Sequence, residues 1–304
     1  MTAHYVILAD RAVIGVAGPD ARPFLQGLVS NDLEKVSPDR AGYGALLTPQ
    51  GKFLFEFLIS ERDGELLLET ERARVPDLLR RLLMYRLRAK VELTDHADHF
   101  VVAALLDEEP HARLGLPASV GACRAEDGGL VMLDPRLVEL GGRALLPSET
   151  IEGTLRALGF TPAGREVYER RRLELGVPDG SRDLTPERAT LLESGFEELN
   201  GVDFKKGCFV GQELTARMKY RGLVRKRLMP VTFAGPPPAP GTIVSLGGRE
   251  AGEMRSGTEG IGLALLRLEH VIAAETGDAP LVAGDRELAP ALPPWAQFLP
   301  GVAS

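Results

Sequence analysis

The segment Lys205–Leu214, KKGCFVGQEL, concentrates residue types that could do chemistry. It places Cys208 between Gly207 and Gly211, after two lysines and before a glutamine and a glutamate. A cysteine in this setting could be a nucleophile, a metal ligand, a packing residue or part of a ligand-binding loop. The flanking glycines would let the backbone approach a ligand closely or adopt a positive φ.

The residues after this glycine pair predict a helix, Gln212 to Tyr220, whose first N–H groups would face an anion. Lys206 and Arg217 would add positive charge there. In a second interpretation, Glu213 and Arg217 form a surface ion pair one helical turn apart, and the glycines only make a turn. The spacing does not decide between the two.

Cysteine and histidine patterns alone favour an inert thiol. The five histidines are scattered, and none has a catalytic setting beside Cys208,. The other cysteine, Cys123, lies in GACRAED and forms no C-x-x-C pair,. His96-x-x-His99 lacks a third placed ligand, so we expect a polar connector and no resident metal.

Composition excludes several classes of protein. The chain has 304 residues and a net charge of −7, which argues against a broad nucleic-acid surface,. The N-terminus MTAHYVILADRAVIGV carries no pattern of a signal peptide, and no stretch is long and apolar enough to span a bilayer,. Two cysteines are too few for a disulfide scaffold,. We therefore expect a cytoplasmic protein with reduced thiols and neither a nucleic-acid nor a membrane partner.

The surrounding elements read as an α+β mixture. The apolar run LLTPQGKFLFEF predicts a hairpin that turns at Pro49–Gly51,. The segment RARVPDLLRRLLMYRLRAK predicts an amphipathic helix with an apolar face and arginines opposite,. That face is expected to contain Leu78, Leu79, Leu82 and Leu83.

Later segments predict further helices and a separate β module. Ser148 is expected to cap a helix that runs through Leu158, and Thr161-Pro162 to begin another. After the proline-rich FAGPPPAPGT, short runs broken by glycines predict a small barrel, with a boundary near Met229,. Strands and helices in blocks favour packed α+β layers over a doubly wound parallel sheet.

The motifs taken together resemble a known family. FKKGCFVGQELTARMKYRGLVRKRL is similar to the signature of the YgfZ family, K-G-C-[YF]-x-G-Q-E with a downstream arginine and glycine. FLQGLVSNDL, LLTPQGKFLFEF and RLELGVPDG resemble three further stretches of that family, and the C-terminal runs resemble the barrel of the wider aminomethyltransferase (glycine-cleavage T-protein) superfamily. The form GQELTAR is particularly similar to the mitochondrial relatives.

The resemblance implies a fold and a ligand. Residues 1–228 would form two α+β domains, and residues 229–304 a C-terminal β-barrel, around a central site for tetrahydrofolate. Glu174 matches the superfamily glutamate that pairs with the pterin ring, and Cys208 would be a reactive thiol. The cofactor-binding residues would be Glu174, Lys206, Gly207, Gly211, Gln212, Glu213 and Arg217.

The resemblance also implies a role in iron–sulfur protein maturation or repair, with A-type carriers or client enzymes as transient partners. T-proteins have adjacent aspartates where this chain has Phe55-Glu56, so glycine cleavage is not expected. The first hypothesis is therefore a folate-binding accessory protein for the assembly or repair of [4Fe–4S] enzymes. The alternatives are a tetrahydrofolate-dependent one-carbon transferase or demethylase, and a scaffold without a ligand.

Overall fold

The computed structural model describes residues 3–277 and 279–297, which divide into two compact units. The first unit contains the residues up to Thr48, then Leu54–Tyr168 and Leu199–Val210. The second contains Pro49–Phe53, Glu169–Glu198 and the residues from Gly211 onward. Both units are therefore assembled from segments that are distant in sequence.

Strands and helices occur in blocks along the described residues, as the sequence patterns predict. The strands are β1 (His4–Ile7), β2 (Arg11–Ala17), β3 (Gly42–Leu47), β4 (Phe53–Arg62), β5 (Glu65–Glu71), β6 (Glu92–Asp95), β7 (Phe100–Leu106), β8 (Cys123–Glu126), β9 (Gly129–Leu133), β10 (Gly142–Pro147), β11 (Thr161–Pro162), β12 (Lys226–Thr232), β13 (Ile243–Leu246), β14 (Arg249–Thr258), β15 (Ile261–Arg267), β16 (Leu281–Ala283) and β17 (Arg286–Pro290). The α-helices are α1 (Ala21–Gln26), α2 (Val75–Arg86), α3 (Pro110–Leu114), α4 (Ile151–Ala157), α5 (Arg165–Glu174), α6 (Gly180–Asp183), α7 (Gln212–Tyr220) and α8 (Leu268–Glu275).

Two sheets make up the first unit. One has the strand order β3-β4-β5-β2-β6, and the other β11-β1-β7-β10-β9-β8. Their central strands pair antiparallel, as in Ile14 opposite Leu68 and Ala103 opposite Ala144. Sheets whose central strands are antiparallel, with a separate apolar core for each, confirm the α+β class over a doubly wound parallel sheet,.

The second unit contains the predicted barrel. Six strands close in the order β12-β15-β14-β13-β16-β17 around a core that includes Met229, Val244 and Leu266. Closure leaves these strands without an open edge. The first barrel strand begins at Lys226, shortly before the boundary expected near Met229.

Two helix starts differ from the sequence expectation. Thr161-Pro162 forms an edge strand beside β1, and the next helix begins at Arg165. The helical backbone conformation is disfavoured for a residue that precedes proline, as Thr161 does. The backbone N–H of Thr161 instead donates a hydrogen bond to Ala3 O. Ser148 N donates to His99 O, so that serine belongs to the strand end, and α4 begins at Ile151.

The face of α2 also differs. Leu78 and Leu82 are buried and Leu79 packs against the same core, as expected. Leu83 is half exposed instead, because successive residues of a helix are rotated by about 100° and this face is turned past the core,.

Candidate functional site

The motif segment that precedes α7 is attached to the N-terminal motif by a lysine. Lys206 Nζ donates hydrogen bonds to the carbonyl oxygens of Gln26, Val29 and Asn31 at 2.7, 2.6 and 2.8 Å. These carbonyls belong to FLQGLVSNDL, which is separated from Lys206 by up to 180 positions in the chain. The structure therefore joins two of the family-like motifs within the first unit.

Lys206 is buried, and burial affects both the charge of its ammonium and the hydrogen bonds that it can donate to a ligand. Burial lowers the pKa of its ammonium to about 8, although the charges of Asp32 and Asp203 oppose the shift. Its Nζ also lies 5.3 Å from the centroid of the Phe209 ring. An ammonium has three donors, and the carbonyls take them all. Lys206 thus fixes the loop, and only its charge remains for the predicted ligand contact.

This anchored loop presents Cys208 to solvent. Gly207 has a φ of +41° and nothing lies within 4 Å of a Cβ added there, so glycine is needed for the backbone conformation and not for space,. Cys123 is the opposite case, because it is buried and its Sγ donates to Pro38 O at 3.2 Å. Burial, reinforced by the charge of Asp39, raises the pKa of that thiol to about 12.

The hairpin turn and the start of α7 meet in the second unit. Gly211 precedes α7 with a φ of +82°. A Cβ on Gly51 would lie 2.6 Å from Leu214 Cβ and 2.7 Å from Gly211 O, so only glycine allows this close approach,. Gly51 of the hairpin and Gly211 of the G-Q-E motif belong to motifs that are separate in the sequence, and the structure brings them into contact.

The predicted ligand residues on α7 have different environments. Gln212 is partly buried, while Glu213 and Arg217 are exposed. Within the described chain, no ion pair joins Glu213 to Arg217, so the competing surface-pair interpretation is not realised. Both side chains are open to solvent, and their contact with a ligand stays a prediction.

The motif RLELGVPDG is built around a buried arginine. Arg172 is fully buried, and its guanidinium donates hydrogen bonds to Asp183 Oδ2 at 2.8 Å and to Ser256 Oγ at 2.7 Å. It also pairs with Glu169, which in turn pairs with Arg182 at 2.9 Å. Arg172 thereby ties α5 and α6 to barrel strand β14, which explains why the motif contains an arginine at this position.

Glu174 lies on the last turn of α5 and is exposed. Its Oε1 is 3.1 Å from Arg170 Nε, in a surface pair of residues four apart. Exposed pairs of this kind are weak, so the carboxylate remains able to accept hydrogen bonds from a ligand. Glu174, Gly211, Gln212, Glu213 and Arg217 belong to the second unit, whereas Lys206, Gly207 and Cys208 belong to the first.

The residue pair aligned with the T-protein aspartates is engaged elsewhere. Glu56 is buried, accepts from the Tyr43 hydroxyl at 2.6 Å and pairs with Arg11 at 3.2 Å. Phe55 is buried, with the guanidinium of Arg74 4.2 Å from its ring centroid. Burial and the charge of Glu56 raise the pKa of Tyr43. These contacts make Glu56 part of the packing of the first unit.

The sequence patterns did not predict a buried network of ion pairs to which Glu56 belongs. Arg143 lies 3.3 Å from Glu69 on the other sheet and 3.4 Å from Asp134. Asp134 pairs in turn with Arg136 at 2.8 Å. A charged residue inside an otherwise apolar strand, as in GRALLP and GELLLET, is the signal that could have predicted it,.

The histidine pair has ordinary neighbours. His96 Nε2 lies 3.1 Å from Glu65 Oε1, and the His99 ring packs against Phe100. Among the residues that the structure describes, no group of three histidine, cysteine or acidic side chains could hold a metal ion.

The fold is that of an aminomethyltransferase. The structure of glycine cleavage system aminomethyltransferase T from Bartonella henselae superposes with a TM-score of 0.76, covering 97% of this chain and 87% of that one at 16% identity. Residues 225–298 match the family described as CAF17, C-terminal beta-barrel domain. Both findings confirm the predicted architecture.

Sequence comparison identifies the family. The human iron–sulfur cluster assembly factor IBA57, mitochondrial, is 36% identical over 91% of this chain and 82% of its own length. The IBA57 homolog of Pyricularia oryzae is 33% identical over 88% of this chain and 72% of its own length. The chain belongs to the IBA57 family of iron–sulfur cluster assembly factors, which confirms the resemblance.

The comparison also corrects one expectation. The cytoplasmic location is contradicted, because these relatives are named as mitochondrial proteins. In the described ranges, no helix has the length and apolar character needed to cross a membrane.

Proposed function

We propose that this protein is a tetrahydrofolate-binding accessory factor in the assembly or repair of iron–sulfur clusters of [4Fe–4S] enzymes. The observation that carries the proposal is the exposed Cys208, held on the family motif by the buried Lys206. Membership of a family whose relatives are named iron–sulfur cluster assembly factors supports the cluster role.

The thiol suits a transient step better than a resident cluster. A cluster held by one chain needs about four thiolates, and the other cysteine of this chain is buried,. An exposed thiol on an anchored loop can instead bind a cluster or a sulfur species while it passes between proteins. The partners would be an A-type carrier or the client enzyme itself, as the resemblance implies.

The folate part of the proposal depends on the second unit. Glu174 offers an accessible carboxylate, which suits the two N–H donors of a 2-amino-4-oxopterin ring,. Arg217 and the N-terminus of α7 would favour an anionic portion of the ligand,. These residues would bind and orient the cofactor; its one-carbon chemistry would come from the folate.

A one-carbon transferase or demethylase is the second candidate, and the aminomethyltransferase fold favours it. The environment of Glu56 opposes it, because a general base must reach the reacting nitrogen and this carboxylate is bonded to Tyr43 and Arg11,.

Complementation of a deletion strain tests the cluster role. We expect Cys208→Ala to lower aconitase and radical-SAM enzyme activities, while Cys123→Ala, a change of the same size at the buried cysteine, keeps them. Protein levels and thermal unfolding of both variants are measured alongside. Full activity with Cys208→Ala would remove the thiol from the proposed function.

Calorimetry with tetrahydrofolate tests the ligand. Glu174→Ala should weaken binding by about 1.5–3 kcal/mol, because it removes a charged acceptor. Glu166→Ala, at another exposed glutamate of α5, should leave the affinity unchanged. Equal affinities would exclude Glu174 from the site. Formaldehyde or methylene-tetrahydrofolate released anaerobically from sarcosine or dimethylglycine would support the transferase instead.

A further inference from the structure

The solvent face of α2 carries large apolar side chains where a surface helix normally carries charges. Leu83, Met84 and Leu87 are 49%, 71% and 88% exposed. Their spacing places them on neighbouring positions of one helical face, while Leu78 and Leu82 fill the core on the other side,. The three exposed residues form one apolar patch, which we call the α2 patch.

Positive charge surrounds the α2 patch. Five basic residues and a single acid, Asp77, lie between positions 77 and 90 of a chain whose net charge is −7. Asp77 pairs with Arg80. In the part of the chain that the structure describes, the side chains of Arg86, Arg88 and Lys90 form no ion pair. Their charges therefore remain available to a partner.

The backbone at Leu87 is a second, independent observation. Leu87 ends α2 with a φ of 42° and a ψ of −105°, a conformation that favours glycine and is unfavourable for leucine,. The side chain gains no burial in return, because it is almost fully exposed. Residues in such conformations cluster at functional and ligand-contacting sites, which makes Leu87 a candidate contact residue.

We propose that the α2 patch docks an acidic protein surface with an apolar centre, so that the patch meets apolar side chains and the surrounding bases meet carboxylates. Arginine and methionine are enriched at protein interfaces, and arginine pairs with carboxylates in a bidentate manner. A membrane surface fits less well, because three aliphatic side chains without an exposed aromatic ring form a small anchor, and four of the five bases are arginine,. This surface does not depend on the proposed function of Cys208.

Site-specific photocrosslinking in living cells tests the surface in the full-length protein. A benzophenone amino acid replaces Met84, and in the control it replaces Ile243, an exposed apolar residue of β13. We expect one discrete protein adduct from position 84 that position 243 does not give. Arg86→Glu/Arg88→Glu should lower its yield by about tenfold or more, since reversed charges now face carboxylates. Reversing acidic residues on the crosslinked protein to lysine should restore it.

Leu87→Gly separates docking from stability. Glycine adopts a positive φ without steric strain, so the thermal unfolding midpoint should stay equal or rise. The adduct yield should fall, because the leucine side chain is lost from the α2 patch. The proposal is overturned by an adduct insensitive to both sets of substitutions, by the same adducts at positions 84 and 243, or by an adduct with a second copy of this chain. Binding of the purified protein to phosphatidylglycerol vesicles that is lost in the double variant would assign the surface to a membrane and also overturn it.

Discussion

The two cysteines differ in their exposure and in their local contacts. Cys208 is exposed on a loop that glycine and Lys206 hold in place, whereas Cys123 is buried beside Asp39 and donates to a carbonyl. Only the thiolate is an effective nucleophile. Solvent access favours reaction at Cys208, and burial together with the charge of Asp39 disfavours it at Cys123.

We expect iodoacetamide to alkylate Cys208 at least about tenfold faster than Cys123 in the native protein at pH 8. With a pKa of about 12, Cys123 has a thiolate fraction of about one in ten thousand at that pH,. Peptide mass spectrometry over a time course measures both rates. In denaturant the two rates should converge. Equal rates in the native state would show that the loop gives Cys208 no reactivity beyond that of the buried thiol.

At the scale of elements, the loop before α7 is secured to the turn after α1 by a buried charge. In the folded protein, three carbonyl oxygens take the place of water around the Lys206 ammonium. The loss of water nevertheless lowers the pKa of this ammonium. Unfolding returns the ammonium to water. The native state therefore binds fewer protons than the unfolded state at any pH between the two pKa values.

This predicts a stability that rises with pH. Between about pH 8 in the native state and 10.5 in the unfolded state, Lys206 should add about 1–3 kcal/mol to the free energy of unfolding,. Below pH 8 both states are protonated and the contribution is constant. Urea unfolding across this range should show the rise in the wild type relative to Lys206→Met.

Lys205→Met is the matched control, because the neighbouring lysine is exposed. It should keep the same pH dependence as the wild type. If Lys206→Met and Lys205→Met follow one curve, the buried ammonium is not the titrating group.

At the scale of the molecule, each unit has a buried ionic centre. In the first unit, Arg143 links a strand of one sheet to Glu69 of the other. In the second, Arg172 links α5 and α6 to the barrel. Buried charges are costly unless they are paired, so removal of one member of such a network weakens the charge compensation of the others.

Arg143→Met should therefore lower the free energy of unfolding by up to about 3 kcal/mol, because Glu69 and Asp134 each lose one buried countercharge and keep Arg11 and Arg136,. Arg156→Met removes an exposed arginine from its pair with Glu152 and should change it by less than about 1 kcal/mol,. Equilibrium urea unfolding of both variants measures the difference. Similar small losses in both would mean that water screens the buried network.

Local sequence patterns were enough to predict the α+β class, the hairpin at Gly51 and the C-terminal barrel. These features depend on local signals, namely the alternation of apolar residues and glycines at turns, which a linear pattern contains. The role of Cys208 that the family motif implies stays a prediction. The location inferred from the absence of a signal pattern was wrong on comparison with named relatives.

Which side chains the motifs bring together depends on the tertiary fold. The sequence predicted that Lys206 contributes positive charge to a ligand, which stays a prediction, and it gave no sign of the three carbonyls between Gln26 and Asn31 to which the ammonium donates. Leu83 was expected on the apolar face of α2, and packing leaves it half exposed. Arg172 is buried by contacts that include Ser256 of barrel strand β14. Each depends on contacts between residues far apart in sequence, and the number of possible pairings is too large for a local pattern to specify.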